Sequence, residues 1–147
     1  MGVKITVPYD GIDYSGEVMR ITKTALGGSN DHGLFDASLS LSGDGTGVSF
    51  GGYCLDARPA KDAEGNRSGE RRPTAYGMDF IVQIMKVCEV SIWEDLVGKT
   101  ILTLWDSEGH WGQSIKGIAN LHGTKVFVPK LHYAQWQAAH PEESEDD

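Results

Sequence analysis

The clearest pattern in the chain is the alternation over residues 34–41, where Phe35, Ala37, Leu39 and Leu41 interleave with Asp36, Ser38 and Ser40. Period two over eight residues predicts a half-buried strand. Shorter β-rich runs predict strands at 4–7 and at 17–24, separated by the turn Pro8-Tyr9-Asp10-Gly11. In the second run the alternation of Met19 and Ile21 with Val18 and Arg20 is only partial, so it does not fix which face is buried. After a break at Gly27-Gly28-Ser29-Asn30-Asp31 and a hairpin-like loop at 43–47, residues 48–56 read as a strand carrying Gly51 and Gly52 in its middle. Glycine inside a strand marks a bulge or a close approach by backbone or ligand.

Residues 57–73 form a long polar loop holding Arg58, Lys61, Arg67, Arg71 and Arg72. A loop of that length in a compact domain is functional or disordered. The periodicity then changes: Gly77, Phe80, Ile81, Ile84, Met85 and Cys88 recur at helical spacing, predicting a helix from about 75 to 87 or 89 with Thr74 as N-cap. Ser91 and Glu94 have capping-box spacing and predict a short second helix ended by Gly98. Strands are expected at 99–105, 113–120 and 125–128, and a terminal helix over 131–139 with Leu131, Ala134 and Ala138 on one side. Strands, then a helix, then strands imply an α+β fold: a mostly antiparallel sheet with one main helix packed across it and a short second helix. Residues 1–139 form one globular domain in this reading, and 140–147 an acidic, disordered tail.

Composition narrows the function classes. The chain has 147 residues, 39% of them hydrophobic, and a formal net charge of −8 from 21 acidic and 13 basic residues. Such a field disfavours double-stranded nucleic acid and anionic membranes as partners. Five acidic residues lie in the tail, at Glu142, Glu143, Glu145, Asp146 and Asp147, so a small anionic ligand remains compatible with a local basic cluster. No apolar run reaches the roughly 18 residues of a membrane helix, and residues 1–4 open a strand rather than a signal peptide. A cytoplasmic location follows as an expectation, with Cys54 and Cys88 as reduced core thiols.

No G-x-S-x-G, H-E-x-x-H or Walker motif is present, and His32, His110, His122, His132 and His140 have no chelating spacing, so neither catalytic residues nor a metal or cofactor is expected. An enzyme with His32 or His110 as base, and a structural or interaction protein, stand as the alternatives to a binding role. The more informative constellation is Arg71-Arg72-Pro73-Thr74-Ala75-Tyr76-Gly77, two guanidinium groups ahead of a helix start, where Gly77 would let an anion approach the first turn. Phe50-Gly51-Gly52-Tyr53 offers aromatic faces beside bare backbone for a flat base, Asn120 an amide for its edge or a ribose hydroxyl, and Trp111 a further stacking ring. Together Phe50, Gly52, Tyr53, Arg71, Arg72, Thr74, Ala75, Tyr76, Trp111 and Asn120 sketch a nucleotide pocket, and replacing Arg72 or Asn120 is expected to remove binding.

Five motifs in order add a resemblance: Asp31-His32-Gly33-Leu34, Phe50-Gly51-Gly52-Tyr53-x-Leu55-Asp56, Thr74-Ala75-Tyr76-Gly77-x-x-Phe80-Ile81, Trp93-Glu94-Asp95-Leu96-x-Gly98-Lys99 and Ile115-x-Gly117-Ile118-x-Asn120. Over residues 18–128 the chain resembles phage-encoded Thoeris anti-defence proteins of the first described type. The resemblance implies a sponge that binds, without cleaving, the cyclic ADP-ribose isomers made by TIR enzymes. It also implies a homodimer or higher homo-oligomer, and in some members cyclic trinucleotides at separate sites, so cyclic di- or trinucleotides are a further ligand class. The chain departs from the family pattern at Val48-Ser49, where Gln-Gly is more usual, in its long 57–73 loop and in its acidic tail.

Overall fold

The computed structural model describes residues 5–27, 34–43, 45–106 and 114–141. Among these, seven strands form one antiparallel sheet: β1 (Ile5–Tyr9), β2 (Ile12–Gly27), β3 (Asp36–Gly43), β4 (Thr46–Gly51), β5 (Thr100–Trp105), β6 (Gly117–Ala119) and β7 (Val126–Phe127). The order across the sheet is β4-β3-β2-β5-β6-β7, with β1 also paired to β2. Two helices, α1 (Ala75–Cys88) and α2 (Pro129–Ala139), and a 3-10 turn at Trp93–Leu96 complete the α+β architecture. No helix among the described residues is long and apolar enough to cross a membrane.

β2 organises the sheet. Asp10 and Gly11 both have positive φ, 52° and 80°, the geometry of a tight hairpin turn that joins β1 to β2. Ile12 to Gly16 then pair with β1 and Arg20 to Gly27 with β3 along the same edge, while Ser15 to Arg20 pair with β5 along the other. The partial alternation seen in the sequence has its cause here: Met19 and Ile21 are buried, and the register shift between Ile21 and Lys23 interrupts period two.

α1 packs its predicted stripe on one face of the sheet. Phe80, Ile84, Val87 and Cys88 meet Met19, Leu39, Leu41, Phe50, Ile101 and Phe127 in the main core. A smaller cluster on Val7, Tyr14, Leu102, Leu104, Ala119 and Val128, with Leu131 of α2 against it, covers the other side, so β5 is buried on both faces. Cys88 belongs to the core and burial pushes its thiol up to about 12, whereas Cys54 is exposed; both are free, and the expectation of two core thiols holds only for Cys88.

Several sequence expectations shift. β4 stops at Gly51 rather than running to 56, because Gly51 (φ 122°) lies so close to the Ala37 carbonyl that a Cβ would collide with it, and the chain turns away through Gly52 (φ 82°). β6 spans three residues instead of eight. The second helix is one 3-10 turn with Ile92 at its N-cap and no side-chain cap, so the Ser91–Glu94 box does not form. Gly98 N–H to Ile21 O and Ile21 N–H to Lys99 O, both 2.8 Å, already draw the chain onto the sheet there. α2 turns Leu131, His132 and Trp136 inward and leaves Ala134 and Ala138 exposed, so of the three residues expected on one side only Leu131 packs against the core. The 57–73 loop is an ordered finger closed at its base by Ala57–Arg72 pairing and midway by Lys61–Arg67 pairing. Asp62 shapes its tip by accepting from Glu64 and Asn66 N–H.

Candidate functional site

Where β5 ends and β6 begins, the N-termini of α1 and α2 converge on the same end of the sheet, and the space between them is a cavity of about 690 Å³. Its aromatic walls come from four elements: Tyr14 from β2, Tyr53 from the segment after β4, Tyr76 from the first turn of α1 and Tyr133 from α2. Lys116, Lys130, Asp106 and Cys54 supply the polar rim, and Val128, Pro129 and Leu131 the apolar floor. A second concavity of about 500 Å³ lies beside it, between Val48, Ser49, Gly51, Gly52 and Trp105, and shares Tyr53, Ser114 and Ile115 with the first.

The tyrosines are held from behind by core aromatics. Phe80, fully buried, lies 5.6 Å from the Tyr53 ring and 6.2 Å from the Tyr76 ring, and Tyr133 meets Tyr76 edge-on at 5.5 Å. Burial pushes the Tyr76 phenol up to about 12 and raises Tyr53 and Tyr14 as well, Tyr14 with help from Asp106 and Asp10. At neutral pH Tyr53 and Tyr76 therefore present uncharged rings with hydroxyl donors, whereas Tyr14, 4% exposed, keeps its ring in the smaller core cluster. Lys116 lies 3.5 Å from Asp106 with both side chains well exposed, and Lys130 is exposed in the first turn of α2, which no side chain caps. Lys116 is offset by the Asp106 carboxylate, so the rim's anion preference rests on the Lys130 ammonium and the positive end of the α2 dipole.

The sequence-based candidates separate into three groups. Tyr53 and Tyr76 wall the main cavity, and Gly52 lies in the neighbouring concavity, open because nothing stands within 4 Å of where its Cβ would be. Trp111 lies outside the described residues, as do His32 and His110. The remaining candidates do other work. Phe50 is 1% exposed and packs edge-on against Phe127 at 6.3 Å, so its ring faces the core and is closed to a base. Thr74 caps α1, accepting from Gly77 N–H at 2.9 Å and donating to Leu55 O at 2.5 Å, and Ala75 stands exposed beside it.

The expected anion site at the start of α1 is not assembled. A Cβ on Gly77 would strike the Leu55 carbonyl, so this glycine admits the Leu55 backbone rather than a ligand. Arg71 is paired with Asp56 at 3.0 Å and donates to Cys54 Sγ at 3.4 Å, bracing the base of the finger against the cavity rim. Arg72 is exposed, its Nε donating to the Arg58 carbonyl.

Asn120 is likewise structural. Its Oδ1 accepts from Thr124 and Lys125 N–H, and its Nδ2 donates to Thr124 Oγ1 and to Glu89 Oε2. Hydrogen bonds from Lys125 first, and then Asn120, hold the Glu89 carboxyl below the ordinary range, tying the end of α1 to the β6–β7 turn. Asn120→Ala is therefore expected to lower stability by about 2–3 kcal/mol while leaving cavity binding unchanged, as chemical denaturation and a titration of the folded variant would show.

Tyr14, Tyr133, Lys116 and Lys130 are the site residues that sequence reasoning missed. Tyr133 and Lys130 stand three apart on α2, and Ala134 beside them is exposed, a polar-tipped aromatic next to a cation on the face turned from the core. No group of three or more metal-ligating side chains is gathered among the described residues. No family model matches the chain, and neither a curated protein nor a solved structure matches it.

Proposed function

We propose that the chain is a binding protein that sequesters a TIR-made cyclic ADP-ribose isomer in the host bacterial cytoplasm, as the Thoeris anti-defence proteins it resembles do, and so blocks immune signalling. The observation that carries this reading is the tyrosine-walled, lysine-rimmed cavity. Its volume falls within the roughly 300–1,000 Å³ of small-molecule sites, and its groups match the ligand: phenol rings for adenine, hydroxyls for ribose, ammonium groups for pyrophosphate. Sequestration asks for tight binding and slow release rather than for any reaction. Cyclic di- or trinucleotides are the further ligand class, and a homodimer or higher oligomer the assembly in this reading.

The test is to mix purified protein with cyclic ADP-ribose isomers, remove unbound material, denature by heat and identify what is released by mass spectrometry. Intact ligand at close to one per cavity is the expected result. A cleaved product would replace the sponge with a signal-degrading enzyme. Recovery of nothing, from these isomers and from cyclic oligonucleotides alike, would overturn the nucleotide reading.

A further inference from the structure

α2 forms one wall of the cavity through Lys130, Leu131 and Tyr133, yet its own anchorage is slight. Pro129 is its one fully buried residue, and no side chain caps its N-terminus. Tyr133 and Trp136 meet Tyr76 of α1 edge-on at 5.5 and 6.2 Å, and a polar side-chain tie to α1 comes from His132. The Nε2 of this ring lies 2.7 Å from Asp79 Oδ2, and because a carboxylate only accepts, Nε2 carries the proton. The ring stacks on Tyr76 at 5.1 Å and 27°, meets Phe127 edge-on at 5.1 Å, and buries Nδ1 with no hydrogen-bond partner among the described residues.

Asp79 and His132 do not wall the main cavity. They belong to a smaller one of about 260 Å³ that also holds Gln83, Trp136 and His140. Asp79 therefore orients the His132 ring, the ring backs Tyr76 and fixes α2, and both of those face the ligand cavity. From this arrangement we infer that Asp79 and His132 are positioning residues of the binding site: the pair clamps the α2 wall and the Tyr76 ring in place and so sets how long a ligand is retained, without touching it. The inference rests on the ligand reading above for its occupant, but the clamp itself can be read without one.

Cys54 makes that possible, since its exposed thiol lies on the cavity rim whereas Cys88 is buried, so labelling by a bulky fluorescein maleimide reports on the cavity. The side chain of Asp79 is 34% exposed, so Asp79→Ala breaks the pair without opening the core, and Asp79→Asn keeps an acceptor for Nε2–H. In the 147-residue chain, Asp79→Ala is expected to release a cyclic ADP-ribose isomer about tenfold faster, with association changed less than about twofold. Cys54 labelling should quicken in parallel, and Asp79→Asn should restore both rates. Unchanged release and labelling in Asp79→Ala, or an Asp79→Asn variant as impaired as Asp79→Ala, would overturn the clamp. Should the wild-type protein bind no isomer, the ligand reading falls alone. Labelling then decides: faster in Asp79→Ala and restored in Asp79→Asn supports the clamp, and any other pattern overturns it.

Discussion

Replacing Phe80 with alanine is expected to cost about 3–5 kcal/mol of folding stability, the usual range for removing a fully buried phenylalanine. Phe80 is 0% exposed and stands at the centre of an aromatic group, 4.9 Å from Phe127, 5.6 Å from Tyr53, 6.2 Å from Tyr76 and 6.1 Å from His132. Few neighbours can close the gap, because Phe127 is fixed in β7 and Tyr76 in the first turn of α1. Urea denaturation should show the midpoint falling with an unchanged slope. Ligand affinity, measured well below that midpoint, should fall too, because Tyr53 and Tyr76 lose the surface they lean on. A loss under about 1 kcal/mol would mean that the tyrosines collapse inward to fill the space, and the cavity would then vanish from binding measurements altogether.

The largest effect on binding is expected from reversing both rim cations, Lys116→Glu with Lys130→Glu. Each charge-assisted contact to a pyrophosphate is worth about 1.5–3 kcal/mol, so the pair should weaken binding by roughly 10²- to 10⁴-fold. Stability should move little, because the one ion pair disturbed among the described residues, Lys116 with Asp106 at 3.5 Å, is exposed. Titration calorimetry at two salt concentrations checks the sign, since the wild-type affinity should fall with salt more steeply than that of the double variant. Arg72→Glu is the control. Its side chain is committed to the Arg58 carbonyl at the base of the finger, and loss of binding there instead would move the anion end of the site back to α1.

What the sequence revealed and what it concealed follow from the range of the interactions involved. Period-two alternation at 37, 39 and 41 and the helical stripe at 77, 80, 84 and 88 are local and appear in the buried faces of β3 and α1. The Thr74 cap is also local, one hydroxyl three residues from the amide it accepts. The cavity is not local: Tyr14 and Tyr133 come together only because β2 and α2 meet at one end of the sheet, and no spacing records that. Residue chemistry misled wherever a competing partner was nearer than any ligand. Arg71 found Asp56, Asn120 found its own turn, and the Gly77 gap was filled by Leu55. Phe50 and Tyr53 share one motif, yet the reversal of the chain at Gly51 and Gly52 buries one ring and exposes the other, and that reversal depends on a contact with Ala37 on a different strand.

The finger at 57–72 offers a practical handle. Its two ends are hydrogen-bonded to each other through Ala57 and Arg72, so the rest of the fold meets it as a closed loop, nearly indifferent to how much chain lies beyond the junction. A reporter domain spliced in beside Gly65 would thus leave the sheet untouched, yet remain joined to the cavity mouth through Arg71, Asp56 and Cys54. That junction makes the tip of the finger an attachment point held at a fixed place beside the mouth of the cavity.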